Sequence, residues 1–336
     1  MLTGAELVHL GGGESLPCPD AERLPLSPDT GRAGLGTARL ALPPARLHVL
    51  TGALVLPSSG VVVTSDGRVV AESVTAAMVG RVPLDDAERR AEPIDVDGAI
   101  AVFRSPLRSQ YHTLIDDLPR AGLLIHPAVG RLGNISLVHD GALSDLESVL
   151  LARLGGRRIR LLEVEPGRPL RAERVVVPNF VTRPGAGAVP SWYRRWADNL
   201  PLPCPEGAPR RIFLDSGTAA TAVNRPALLD VLERHGVEPV LPRDRSAEDL
   251  LAVLRDADLV VGTADGGLAG CLFSRRTHLV ELLDDTTMDP AIYYLAASKG
   301  LPYDFVPTVA PRDHRHRTPP TVDIGWLDRL LDRVVS

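Results

Sequence analysis

His112 and Asp116 stand four residues apart in the run Ser109-Gln110-Tyr111-His112-Thr113-Leu114-Ile115-Asp116-Asp117-Leu118-Pro119-Arg120. On a helix that spacing puts both side chains on one face, where the carboxylate orients and charge-stabilises the imidazole. A histidine held in this way can act as a general base and take the proton of an attacking hydroxyl. The same spacing is also met in solvated His/Asp pairs on a helix surface.

A second feature occupies 258–283, which passes from a buried strand through a Gly-rich turn into a short helix and then a second apolar strand. Glycines 262, 266, 267 and 270 let backbone approach a ligand closely, and free N–H groups at a helix start attract anions. Thr263, Asp265, Gly266, Gly267 and Leu268 are therefore candidates for holding a phosphorylated ligand. A plain tight strand-to-helix connection would use the same glycines. Upstream, the chain leaves the strand 212–214 through a loop carrying Ser216, Thr218, Asn224 and Arg225, whose hydroxyls, amide and guanidinium can also reach an anion.

These candidates need elements to position them. Apolar residues at 111, 114, 115, 118 and 123–125 predict a helix that stops or bends near Pro119. Around it lie predicted strands at 48–56 and 61–64, a Ser65-Asp66-Gly67 turn with its return strand at 68–71, and further strands at 135–139, 159–164 and 174–177, with a helix over 144–153. After a Pro/Gly-rich crossing at 182–210 that contains a short 192–196 helix, strands at 212–214, 238–241, 259–261 and 278–283 alternate with helices at 226–235, 247–256 and 290–298. Alternation of this kind predicts mostly parallel sheets, in which ligands bind outside the carboxyl ends of the strands. The implied division is an irregular segment at 1–45, an α/β domain at 46–200, a Rossmann-like domain at 206–310, and a loop and helix at 311–336.

With 336 residues and 44% hydrophobic content the chain can bury two such cores. A net charge of −5 argues against a nonspecific nucleic-acid binder, so a small partner is expected. Lys299 is the only lysine, which leaves arginine as the main cation for phosphate. No run is long and apolar enough to span a bilayer and the N-terminus does not read as a secretion signal, so a cytoplasmic location is expected. Cys18, Cys204 and Cys271 are too few and too far apart for a disulfide framework or zinc site and read as ordinary thiols. Trp192, Tyr193 and Trp196 suit packing at a domain junction or stacking on a sugar face. The cluster Asp313-His314-Arg315-His316-Arg317 reads as a solvated loop, since its arginines would repel a metal cation.

The segment Tyr-His-x-Leu-Ile-Asp-x-Leu-Pro-Arg at 111–120 resembles the His-Trp-Leu-Leu-Asp-x-Leu-Pro-Arg motif of glycosyltransferase family 61. Later blocks fall in the family's order: Arg211 to Ser216 followed by Asn224, Gly236-Val237-Glu238-Pro239-Val240, the turn from Gly262 to Phe273, and Leu279-Val280-Glu281-Leu282. The resemblance covers roughly 48–310. It implies a GT-B fold, two Rossmann-like α/β domains facing a central cleft, with a β-rich N-terminal segment. It implies inverting, metal-independent transfer of a sugar from a nucleotide-sugar donor to a hydroxyl acceptor (a polysaccharide, a lipid-linked sugar or a natural product), with no cofactor beyond the donor. His112 would then be the base and Asp116 its partner, the donor diphosphate would lie on the 266–270 turn, and Glu281 would accept hydrogen bonds from the nucleotide ribose.

Departures from the pattern fall in the donor region. Ala264 stands where the family has histidine and Gly270 where it has asparagine, and small residues at 216–222 replace arginines. Each lost charge-assisted contact costs about 1.5–3 kcal/mol. A catalytically silent scaffold with a binding or assembly role is the alternative these replacements raise.

Overall fold

The computed structural model describes residues 5–19, 39–74, 84–105, 107–155, 159–182, 187–203, 207–215, 222–263, 267–284, 289–309 and 321–335. The chain divides into two compact units, Met1–Glu14 with Ala41–Pro184, and Ser15–Leu40 with Gly185–Ser336. Each is mixed α/β.

The first ten strands are β1 (Ala5–His9), β2 (Glu14–Pro17), β3 (Arg39–Leu42), β4 (Arg46–Leu50), β5 (Leu54–Leu56), β6 (Val61–Val63), β7 (Ile94–Val102), β8 (Ile135–Asp140), β9 (Ile159–Val164) and β10 (Leu170–Pro178). β2 and β3 pair with each other. The other eight form one sheet in the order β1-β4-β10-β7-β8-β9, with β5 and β6 attached at β10. β10, β7, β8 and β9 run parallel, while β4 and β5 lie antiparallel to β10. The chain leaves β7 towards β8 and later returns as β10 on the other side of β7, so the carboxyl ends of β7 and β10 mark the point where strand order reverses. Helices α1 (Asp86–Arg90), α2 (Gln110–His112), α3 (Leu118–Leu123) and α4 (Asp145–Gly155) accompany this sheet.

Local chemistry explains several of these boundaries. Ser144 and Glu147 form a capping box at the start of α4: the Glu147 N–H donates to Ser144 Oγ at 3.2 Å and the Ser144 N–H to Glu147 Oε2 at 2.8 Å. Glu147 also takes two hydrogen bonds from Arg104 at 2.7 and 3.0 Å, tying the helix to the end of β7. Between α2 and α3 the residues Thr113–Asp117 form a π turn, closed by the Leu118 N–H donating to the Thr113 carbonyl. A proline has no N–H and its ring collides with the carbonyl four residues back, so a widened turn ahead of Pro119 removes both conflicts.

The expected irregular segment at 1–45 is corrected at its ends, because β1 pairs with β4 from Ala5↔Leu50 to His9↔Arg46. Only Val8 of that strand is buried, so backbone pairing holds it and side-chain alternation carries no signal. The single strand expected at 48–56 breaks at Gly52, whose φ of 70° is left-handed. The return strand at 68–71 reduces to one bridge, Val63↔Val69. β7, the middle of the parallel set, went unread: Asp95, Asp97 and Gly98 interrupt its pattern, and burial begins only at Ala99.

In the second unit the strands are β11 (Arg211–Leu214), β12 (Glu238–Val240), β13 (Leu259–Thr263), β14 (His278–Asp284), β15 (Tyr303–Val309) and β16 (Thr321–Val322). Their order is β12-β11-β13-β14-β15-β16, the first five parallel and β16 antiparallel. This is a doubly wound sheet with its reversal between β11 and β13. Helices α5 (Ser191–Asp198), α6 (Arg225–Arg234), α7 (Ala247–Asp256), α8 (Ala291–Lys299) and α9 (Ile324–Val335) surround it. α6 and α9 cover one face, where Leu228, Val231, Leu232, Leu327, Leu330 and Leu331 meet Phe213, Val261, Val280 and Leu282. The segment Leu268–Phe273, packed with α5, α7 and α8, is buried throughout. Both faces are covered, which is why these strands read as continuous apolar runs. α5, expected in the crossing, packs here through Trp196 against Phe273, with Tyr193 stacked on Trp196. The sole lysine, Lys299, is buried against Asp198 and ties α8 to α5.

Gly60 follows the β5 strand with φ +68°, and a Cβ there would lie 2.1 Å from the Arg104 carbonyl oxygen. Gly60→Ala is expected to combine left-handed strain with a backbone clash and to lower stability by roughly 2–4 kcal/mol, read by urea denaturation.

Candidate active site

In the first unit the chain's chemistry gathers at the strand-order reversal. The loop after β7 supplies Ser105, the helix that follows supplies His112, Asp116, Asp117 and Arg120, and the segment after β10 supplies Pro178, Phe180 and Thr182. Asp116 Oδ2 lies 2.7 Å from His112 Nδ1, and its Oδ1 accepts from the Thr182 hydroxyl at 2.9 Å. Asp116 is buried whereas the His112 side chain is 26% exposed. With Nδ1–H donated to the carboxylate, Nε2 is the nitrogen left with a lone pair for a proton. No described residue hydrogen-bonds it. Ser109 caps the helix start, accepting from the His112 N–H at 3.3 Å, and the Tyr111 ring meets the imidazole edge-on at 5.2 Å.

The neighbouring Asp117 points elsewhere. It is buried, and its Oδ1 accepts from the Ser105 N–H at 2.9 Å. Burial pushes its carboxyl up to about 7, with the Asp116 charge adding to the rise and Arg120 and Ser105 opposing it. Arg120 is wholly buried: its Nε donates to the Pro178 carbonyl at 3.1 Å, and its guanidinium sits over the Phe180 ring at 4.3 Å. Asp117, Arg120 and Thr182 were not singled out from the sequence. The Asp-Asp doublet and the Pro-Arg pair were visible signals for the first two, but nothing in sequence links Thr182 to a residue 66 positions away.

In the second unit the reversal brings together the ends of β11 and β13. Asp215 is fully buried just beyond β11 and pairs with Arg225 Nη2. The Arg225 side chain remains 37% exposed, and its Nε has no hydrogen-bond partner. Asn224 is occupied by the sheet edge: its amide donates to the Val322 carbonyl at 2.8 Å and its carbonyl accepts from the Val322 N–H at 3.1 Å. Thr263 ends β13. Gly267 precedes a six-residue 3₁₀ segment, Leu268–Phe273, rather than an α-helix, so the macrodipole at the turn is correspondingly short. The close approach that Gly262 and Gly267 permit is to protein: a Cβ on Gly262 would meet the Leu268 side chain at 3.1 Å, and one on Gly267 the Leu214 side chain at 3.4 Å. Ser216, Thr218, Asp265 and Gly266 lie outside the described residues, as do Ala264 and the 313–317 cluster.

Glu281 sits mid-β14 beside Gly262 and Phe305, fully buried. Its Oε2 accepts from the Tyr303 hydroxyl at 2.5 Å, and its Oε1 has no hydrogen-bond partner. Burial pushes the carboxyl up to about 8, with Asp289 adding to the rise and the Tyr303 bond opposing it. At neutral pH it therefore sits mainly as a neutral acid. Cys18 and Cys271 are free and buried, the latter pushed up to about 12 by burial, and Cys204 lies outside the described residues. Among the described residues no three His, Cys, Asp or Glu converge as a metal group, and no helix is long and apolar enough to cross a membrane.

Both α/β units carry polar residues at strand-order reversals, where ligands bind in open α/β sheets. The Glycosyltransferase 61 family model matches residues 110–280, just over half of the chain, and the chain belongs to that family. The match opens on the helix bearing His112 and closes one residue before Glu281. Among curated proteins no match to the chain is found. Membership gives the general activity, glycosyl transfer between a donor and an acceptor.

The raised Glu281 carboxyl sets a pH dependence for folding. Between the unfolded value of 4.5 and about 8 the folded chain keeps a proton that the unfolded chain has released. Stability therefore falls as pH rises through that window, by up to roughly 1.4 kcal/mol per pH unit, and levels off above it. Glu281→Gln is neutral throughout and still accepts from Tyr303. Its melting temperature is expected to gain on the wild type as pH is raised from 5 to 8.5, measured by calorimetry at matched ionic strength.

Proposed function

We propose that the chain is an inverting, metal-independent GT-B glycosyltransferase that moves a sugar from a nucleotide-sugar donor to a hydroxyl acceptor, in the cytoplasm, with polysaccharide, lipid-linked sugar or natural product as the acceptor class. The observation that carries this reading is the 2.7 Å pairing of a part-exposed imidazole with a buried carboxylate at a sheet's reversal point. His112 Nε2 takes the acceptor proton as the hydroxyl oxygen attacks the anomeric carbon from the side opposite the leaving diphosphate. Asp116 fixes the tautomer and stabilises the imidazolium that forms, and Thr182 keeps Asp116 from turning away.

Donor binding is assigned to the second unit. Arg225 is the candidate cation, held towards the β11/β13 reversal by Asp215, and the backbone around Thr263, Asp265, Gly266, Gly267 and Leu268 is the candidate anion cradle, with Ser216 and Thr218 as hydroxyl donors. In this scheme Asn224 acts through the loop it anchors. Glu281, buried and bonded to Tyr303, needs local opening before it can meet a ribose.

The alternative, a silent scaffold used for binding or assembly, draws on the glycines at 262 and 267 being filled against Leu268 and Leu214. The two readings part in one set of measurements. His112→Ala is expected to lower transfer about 10²–10⁴-fold while leaving calorimetric donor affinity within about twofold. Full activity in that variant removes the base, and failure of the wild type to bind any of a panel of nucleotides and nucleotide sugars establishes the scaffold.

A further inference from the structure

We infer that Asn179 is a positioning residue for the His112–Asp116 dyad: its side chain stands in for its own carbonyl at the end of β10, which turns the chain out of the sheet and delivers Thr182 to Asp116. The inference rests on the reading of His112 as the base and concerns what holds the carboxylate that faces it.

β10 runs antiparallel to β4 with Pro178 opposite Leu47, so Asn179 falls opposite Arg46. The Asn179 N–H donates to the Arg46 carbonyl at 3.1 Å, which marks a position where two facing residues ordinarily exchange both backbone bonds. Here the return bond differs. The Arg46 N–H donates at 2.7 Å to Asn179 Oδ1 instead of to the Asn179 carbonyl. The Nδ2 of the same side chain donates to the Pro44 carbonyl at 3.0 Å and to the Phe180 carbonyl at 3.1 Å. One half-buried amide thus spends its oxygen and its nitrogen wholly on backbone.

An alanine at this position would complete the pair with its own carbonyl, and β10 would run on beside β4. The ladder itself therefore does not require an asparagine. What the exchange alters is the path of the chain. The peptide after Asn179 is released from the sheet, and the bond from Nδ2 to the Phe180 carbonyl fixes the turn. The next three residues go inward: Phe180 lies under the Arg120 guanidinium at 4.3 Å, Val181 is buried, and Thr182 is buried with its hydroxyl donating to Asp116 Oδ1 at 2.9 Å. With Oδ1 held, the carboxylate keeps Oδ2 at 2.7 Å from His112 Nδ1. Which imidazole nitrogen carries the proton is set by that contact, so the Nδ1–H tautomer, with Nε2 open for an acceptor proton, depends on the course of the chain after Asn179.

The test is nitrogen NMR of the His112 imidazole in the full-length chain without substrate, at a pH where the ring is neutral, its signals assigned with His112→Gln. The wild type is expected to show the Nδ1–H tautomer. Asn179→Ala and Thr182→Val are each expected to shift the ring towards Nε2–H, and the double variant to match either single one, because both remove the same hydroxyl contact. Asn179→Asp keeps the acceptor for Arg46 but loses both donors, and is expected to fall between the wild type and Asn179→Ala. A residue that served stability alone would leave the tautomer unmoved in a folded variant. An unmoved tautomer in folded Asn179→Ala, or a double variant shifted well beyond either single one, overturns the inference. If Asn179→Ala does not fold, Asn179→Asp decides: a shift towards Nε2–H supports it, whereas an unmoved tautomer or a second failure to fold overturns it. Failure of the base assignment is distinguishable, since that would show as full transfer activity in His112→Ala whatever the tautomer.

Discussion

The first unit's chemistry depends on a widened helical turn placed where an ordinary turn would collide with Pro119. Within those five residues two consecutive carboxylates go into the interior, one towards His112 and Thr182 and the other towards the Ser105 N–H. A regular helix through 110–123 would change the angular offset after residue 113 and lose one of these appointments. A π turn costs stability relative to regular helix, and here the cost is offset by bonds to two loops far apart in sequence. Those loops are the ends of β7 and β10, adjacent in the parallel sheet, so the turn is also what closes the carboxyl edge of the sheet. Stability and chemistry share the same atoms there. That places the desolvation of Asp117 and Arg120 within the fold's own construction rather than at its surface.

How much of this was legible in the sequence varies with what holds each element. Segments with buried faces were readable almost to the residue: α7 with its Ser246 cap, and β13 and β14 as apolar runs. β1 and β7 were not, because one is an exposed edge kept by backbone pairing and the other joins an exposed acidic half to a buried half. The His112–Asp116 contact was legible since it is local, four residues apart on one helix. Thr182, Arg120's contact with Pro178 and the bond from Tyr303 to Glu281 depend on sheet order, which single-residue patterns do not encode. The family resemblance, read over roughly 48–310 from the order of blocks, is borne out as family membership by the match over 110–280.

The two reversal points differ in a way that bears on mechanism. At the β7/β10 end the two carboxylates are engaged by His112, Thr182 and the Ser105 N–H, and no described residue hydrogen-bonds His112 Nε2. At the β11/β13 end the Arg225 side chain is 37% exposed and pairs with the buried Asp215. A buried carboxylate behind a part-exposed guanidinium keeps the cation aimed but lowers its net charge. An anion held there would gain bidentate geometry more than raw Coulomb attraction.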